Sequence, residues 1–473
     1  MRSIPYNMLP YFPQKISSKA ISAYLISLIG VSVVFYRYAM SFEYMLMGLA
    51  FVTGFFILSS NCSSRWMNFT HKKFVKNIFW WALSLRVVWV VFSYFFFMAK
   101  TGQPFEFEAA DSMGYHAEAD WLRGETWSTV WDYYFNRGYV SDSGYGLYLT
   151  TLYKVVGPNI VVTRLLKALY SSITCVLLYR LSARIMGERV GRMAGVFAVF
   201  MPNLIIYCGL HLKETEMLFL TVAFLERADA TMRSKKMHVW DIIGTLLLGG
   251  SLFLFRTVLG VVALFSFVTA LLFAPGRVVR KGRKFFIGLW IALAVLFLVG
   301  GTAMNEVEAL LERGTDDQSL KREEQTSHGN QWAQYATGTV LAPMMFVMPF
   351  STMVDTEQPV QFIMHGGNYV RNFMGYFVLI ALFTVLFKKN NWRDFSLIGA
   401  FVIGYLGVLA LSGFANAERF LLPAVPGLIA MWAYGISELD RHSYNLLKYW
   451  CLLVVLMEFG WAFFKLGSRG LFS

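Results

Sequence analysis

Runs of apolar residues about as long as a lipid-crossing helix recur along this chain, and no other feature restricts its fold so much. A helix needs roughly 17 to 25 mainly apolar residues to cross the hydrocarbon of a bilayer, and about thirteen runs meet that description. They cover residues 20–37, 43–60, 78–99, 159–184, 189–208, 213–230, 240–255, 257–274, 286–303, 370–387, 395–413, 420–437 and 447–466. Backbone polar groups at bilayer depth must be satisfied within their own segment, so the expected fold class is an all-α polytopic membrane protein. Composition agrees: 56% hydrophobic and 15% charged residues are too oily a mixture for a soluble chain of this length. The first run leads into Tyr36-Arg37-Tyr38 rather than a small-residue cleavage site, so it reads as a retained span and not a signal peptide. The runs on either side of Arg256 could be taken as one helix, and every later loop would then change sides.

Loop charge argues for keeping them apart. Cytoplasmic loops carry an excess of Lys and Arg. Thirteen crossings from an inside amino terminus collect Arg65, Lys72, Lys73 and Lys76, then Arg233, Lys235 and Lys236, then 277–284, then Lys388, Lys389 and Arg393 on that side. The two long segments 100–158 and 304–369 are instead acidic, and both fall outside. The net charge of +13 is therefore topological. No basic stripe interleaved with exposed aromatics is present, so nucleic acid is not an expected partner. Of the four cysteines, three lie in apolar runs and Cys62 in a basic loop, which suggests neither a disulfide nor a ligand set.

Ionised groups are costly at bilayer depth, so chemistry is expected in the acidic segments. The first of these reads Glu106 to Gly124 and follows directly on the run that ends near Met98. Asp111 and Tyr115 stand four residues apart, which puts carboxylate and phenol side by side on a helix. His116, Ala119 and Arg123 fall on other strips. From Trp127 to Tyr148 the chain is crowded with aromatic residues that favour the headgroup level. Segment 304–369 is long enough to act as a lid or binding loop.

These residues carry a family resemblance. Asp111-Ser-x-x-Tyr115-x-Ala117, just outside a membrane span, resembles the acidic first-loop motif of the C-type integral membrane glycosyltransferases. That class includes the lipid A aminoarabinose transferases and the protein O-mannosyltransferases. Gly146-Leu-Tyr148, Gly157, Arg164-Leu-Leu, Met201-Pro202 and Lys213-Glu214-Thr215-Glu216 follow in the family's order. So do Arg256 after Phe-Leu-Phe, and Glu418-Arg419-Phe420-Leu-Leu-Pro423-x-x-Pro426. The resemblance covers most of residues 78–437. The chain departs from the pattern in having two spans before the acidic loop, and in lacking the doubled Asp-Glu of many members at Asp111. A GT-C-like bundle is implied, with interfacial helices in the first long loop. Its parts would be an N-terminal hairpin and basic loop (1–77), a core (78–303) holding catalytic loop 100–158, a second outer loop (304–369) and C-terminal spans (370–473).

The implied activity is inverting transfer of a sugar from a polyprenyl phosphate to a lipid, glycan or protein acceptor. The site would face the extracytoplasmic side of a cytoplasmic membrane of bacterial type. Such a transfer needs a base for the acceptor's proton and cations for the charge growing on the leaving phosphate. Asp111 is the candidate base. Glu214 and Glu216 are further catalytic candidates, and their spacing of two allows only one of them to face a shared cavity. Arg256, Arg419, Lys213 and Arg137 are candidates for gripping the phosphate, with Tyr115 and His116 lining the substrate site. Arginine suits that task because its planar fork meets two phosphate oxygens at once. Arg86, deep in the third run, requires a partner that the sequence does not name. His116, His211, His328 and His365 have no metal-ligand spacing, so no metal or other cofactor is expected beyond the lipid-linked donor itself. Two rival classes stay open: a lipid-linked oligosaccharide polymerase or ligase, and a flippase or transporter. The last would be expected to show related halves, and none is visible.

Overall fold

The computed structural model describes residues 11–107, 109–136, 141, 143–234, 239–273, 344–356, 359–411 and 418–467. Along them the chain is a succession of helices. These are α1 (Gln14–Val34), α2 (Phe42–Trp66), α3 (His71–Thr101), α4 (Ala110–Leu122), α5 (Trp127–Phe135), α6 (Ser143–Val156), α7 (Ile160–Met186) and α8 (Glu188–Phe200). There follow α9 (Pro202–Ile206), α10 (Glu214–Arg233), α11 (Val239–Phe255), α12 (Thr257–Phe273), α13 (Pro359–Lys388), α14 (Ser396–Leu411), α15 (Glu418–Ser437) and α16 (Arg441–Gly467).

Seven of these, α1, α2, α3, α7, α13, α15 and α16, are long and apolar enough to cross a membrane. An eighth crossing results if the bent α8–α9 stretch counts as one. The protein is thus an all-α polytopic membrane protein, and of the thirteen expected crossings seven or eight meet that test among the described residues. The shortfall has plain causes. α11, α12 and α14 have 17, 17 and 16 residues, at or just under the length a crossing needs. α10 carries Glu226, Arg227, Asp229 and Arg233 in its second half. The ninth run, 286–303, and most of the second long loop lie outside the described residues.

Two local features set the geometry of the site. The run expected over 189–208 is not one rod, because α8 and the segment starting at Pro202 meet at 54°. Proline has no N–H, so the carbonyl of Ala198 loses its helical donor. Arg86, fully buried in α3, supplies the missing donors: Nη2 to Ala198 O at 3.1 Å and Nη1 to Val199 O at 3.2 Å, with Nε on Ser171 Oγ at 2.7 Å. The second feature is the reversal at Arg256. A methyl group added at Gly249 would meet Leu264, and one at Gly260 would meet Phe253, so α11 and α12 run antiparallel with Arg256 at the apex.

Helix packing in lipid depends on close fit rather than on exclusion of water. Gly435 lets α15 lie against the Phe377 carbonyl of α13, and Gly366 meets the backbone of Gly48 on α2. The result brings the first turn of α2, the end of α3, helices α4–α6, the start of α10, Arg256 and the start of α15 to one end of the bundle. Lys100 closes this arrangement on Glu43 at 2.6 Å.

Candidate functional site

The site begins where α3 stops. Gly102 takes the left-handed conformation, φ 72°, which glycine adopts without strain and which ends the helix cleanly. The loop that follows is tied down on its inner side. Arg164 donates to Pro104 O at 2.6 Å, and the buried carboxylate of Glu106 accepts from the hydroxyl of Ser112 in the first turn of α4. Asp111, one residue before that anchor, is thereby turned outward. Its Oδ2 accepts from Arg419 Nη1 in a direct ion pair, with side chains 51% and 41% exposed respectively.

Arg419 is positioned by the residue before it. Glu418 points into the bundle, where its carboxylate accepts from Asn203 just after Pro202 and from Asn368 of α13 at 3.3 Å. One side chain of the dipeptide is thus fixed among three helices while the next reaches α4. Arg256 comes up beside it, Nη1 3.3 Å from Tyr405 Oη, and the two guanidinium groups share the ring of Phe420 at 4.5 and 5.0 Å. Lys213 and Glu214 open α10 at the same place. The Tyr115 hydroxyl is pushed above its usual range by burial, then by the negative charges of Glu214 and Asp111. Lys213 is pushed down to about 7 by burial first and by Arg256 next, with Glu214 opposing and Arg419 adding to the fall. Asp111, Tyr115, Lys213, Glu214, Arg256 and Arg419 therefore lie within electrostatic reach of one another.

Other residues chosen from sequence stand elsewhere. Glu216 faces away from this group and lies 3.3 Å from Lys167 Nζ, both side chains buried. Lys167 also donates to Leu212 O and sits 5.1 Å from the Tyr145 ring, so the pair holds the turn that leads into α10. His116 occupies the back of α4, 2.8 Å from Tyr153 Oη, which in turn lies 3.3 Å from His211. Burial lowers the pKa of both histidines, although Asp120 partly offsets this for His116. Arg137 and His328 lie outside the described residues. Glu418, Asn203, Asn368, Tyr405 and Phe420 belong to the site and were not nominated from sequence; Glu418 and Phe420 flank Arg419 in the quoted motif, and Asn203 follows Pro202.

A cleft of about 420 Å³ opens beside the first turn of α4, bordered by Thr101, Gln103, Phe105, Glu106, Met113 and Pro359. The arrangement can hold an anion on two guanidinium groups and an ammonium next to a carboxylate with free lone pairs. No family model matches this chain, and no curated protein is similar to it.

Proposed function

We propose that the protein transfers a sugar from a polyprenyl phosphate to a hydroxyl- or amine-bearing acceptor on the extracytoplasmic face of the membrane, inverting the anomeric centre. The observation that carries this reading is the meeting of Asp111 with Arg419, Arg256 and Lys213 at one end of a membrane bundle. The donor enters sideways from lipid, its phosphate settling against the arginines and Lys213. The acceptor comes from water, along the cleft beside α4. Its oxygen or nitrogen attacks the anomeric carbon, its proton passes to the Asp111 carboxylate, and the bond from the anomeric carbon to phosphate oxygen breaks. The electron pair leaves on the phosphate, where the cations stabilise it, and polyprenyl phosphate returns to the bilayer. Glu214 adds a negative potential that helps retain cations at this spot, while Glu216 supports the turn before α10.

The resemblance in the quoted motifs supports the same reading, including the fuller count of crossings implied by the loop charges. Purified protein supplied with polyprenyl-phosphate sugars and candidate acceptors tests it. Asp111→Asn is expected to lower turnover by roughly a hundredfold or more, the range of a general base. Should Asp111→Asn retain full activity while Glu216→Gln loses it, the base is wrongly assigned. Transfer only from lipid diphosphate oligosaccharides would favour a polymerase or ligase instead.

A further inference from the structure

We infer that Arg419 is a shared cation: the Asp111 carboxylate holds it in the structure, and the phosphate of the lipid donor displaces that carboxylate, so that donor binding frees Asp111 to turn toward the acceptor as base. This rests on the transfer reaction proposed above and adds an order of events to it.

Three observations lead here. First, Asp111 Oδ2 accepts directly from Arg419 Nη1. While the guanidinium holds Oδ2, the side chain is fixed in place and only Oδ1 is open to an acceptor's proton, whereas opening the contact frees both oxygens and lets the carboxylate turn. Second, the contact is weak enough to open. The two side chains are 51% and 41% exposed, and an ion pair so exposed shifts an equilibrium by about fivefold at most. A phosphate offers several oxygens to the same guanidinium in a bidentate grip, with Arg256 and Lys213 already alongside. Third, the two sides of the contact are held independently. Glu418 is fixed by Asn203 and Asn368, and α4 is fixed on its far face by His116 on Tyr153. Separation of Asp111 from Arg419 therefore requires side-chain movement and no repacking of helices.

A purely structural staple between α4 and α15 would behave differently. Under the inference, Asp111 competes with phosphate, and its removal tightens binding of the lipid; under a staple, removal leaves binding unchanged or weakens it. The test is equilibrium binding of polyprenyl phosphate, with neutral polyprenol as control, to the full-length protein in detergent micelles. Asp111→Asn and Asp111→Ala are both used, since the residue is half-exposed and each variant checks the other. Polyprenyl phosphate is expected to bind both variants about two- to fivefold more tightly than the wild type, and to bind Arg419→Gln at least about tenfold more weakly. Affinity for polyprenol is expected to stay level throughout. Unchanged or weaker binding by both Asp111 variants, with Arg419→Gln still impaired, overturns the competition and leaves the donor reading intact. If the wild type binds polyprenyl phosphate no better than polyprenol, the donor reading falls and takes this inference with it.

Discussion

Lys213 has two arginines and two carboxylates within electrostatic reach, and its protonation follows from that crowding. Burial and the neighbouring guanidinium groups disfavour its charged form, bringing it down to about 7 against an ordinary value of 10.5. The sign is fixed: the ammonium is present below that pH and lost as pH rises through it. Affinity for a polyprenyl-phosphate sugar, a phosphodiester whose single charge does not change in this range, is therefore expected to decline between about pH 6 and pH 8. Lys213→Arg keeps its charge and should flatten the decline at high affinity, whereas Lys213→Met should flatten it at low affinity. A wild-type profile unchanged over that interval would show that Lys213 does not meet the phosphate. At this scale much of the site was legible. The four-residue spacing of Asp111 and Tyr115, and the motif around Arg419, led to residues that the fold brings together. The spacing of two between Glu214 and Glu216 also told that they part company. Which of them turns to Asp111 depends on the rotation of α10, which Lys167 helps to fix from 49 positions upstream of Glu216, and spacing alone does not carry that. Glu418 was hidden for a similar reason, because its partners Asn203 and Asn368 are distant in the chain.

Among the elements, the α8–α9 break shows how a local signal becomes a structure only through a distant residue. Pro202 inside an apolar run announces a kink, yet nothing nearby in the sequence reveals what would satisfy the freed carbonyl. Arg86 does so from 112 positions away. The same contact answers how a guanidinium lives inside α3: it is fully buried but bonded to Ala198 O, Val199 O, Ala82 O and Ser171 Oγ. Arg86→Leu leaves buried carbonyls unpaired, and each such group costs about 1–3 kcal/mol. A loss of roughly 3 kcal/mol is expected, read as a drop in thermal midpoint in detergent. Pro202→Ala restores an N–H to Ala198 O. The double variant should therefore lose less than the sum of the two single changes. Strict additivity would mean that Arg86 and the break are unconnected. Asn203, which holds Glu418, sits one residue past this break, so the double variant also reports whether the bend matters to Arg419.

For the molecule as a whole, the apolar runs within the described residues coincide with helices, and seven or eight of those helices are by themselves long and apolar enough to cross. A crossing needs length as well as apolar character: α11, α12 and α14 are apolar but have 17, 17 and 16 residues, and α10 carries Glu226, Arg227, Asp229 and Arg233. Charge gives the second large-scale signal, and it splits along the bundle axis. The end away from α4 carries Arg184 and Arg233 on Asp229 at 3.2 and 2.8 Å, and Lys389 on Glu438 at 2.6 Å; the basic segment around Lys72 and Lys73 also begins there. Under the proposed topology, loop-charge bias would turn that end to the cytoplasm and put Asp111 on the opposite face, where the proposed lipid-linked donor is presented. Two exposed positions decide it: Ser128 on α5 at the Asp111 end, and Lys73 at the start of α3. In a cysteine-free background, Ser128→Cys should react with a membrane-impermeant maleimide in intact cells, and Lys73→Cys only after the membrane is opened. The reverse pattern would place Asp111 and Arg419 in the cytoplasm, where sugars are available on soluble nucleotides. A lipid-phosphate donor presented from the outer leaflet could not then reach them.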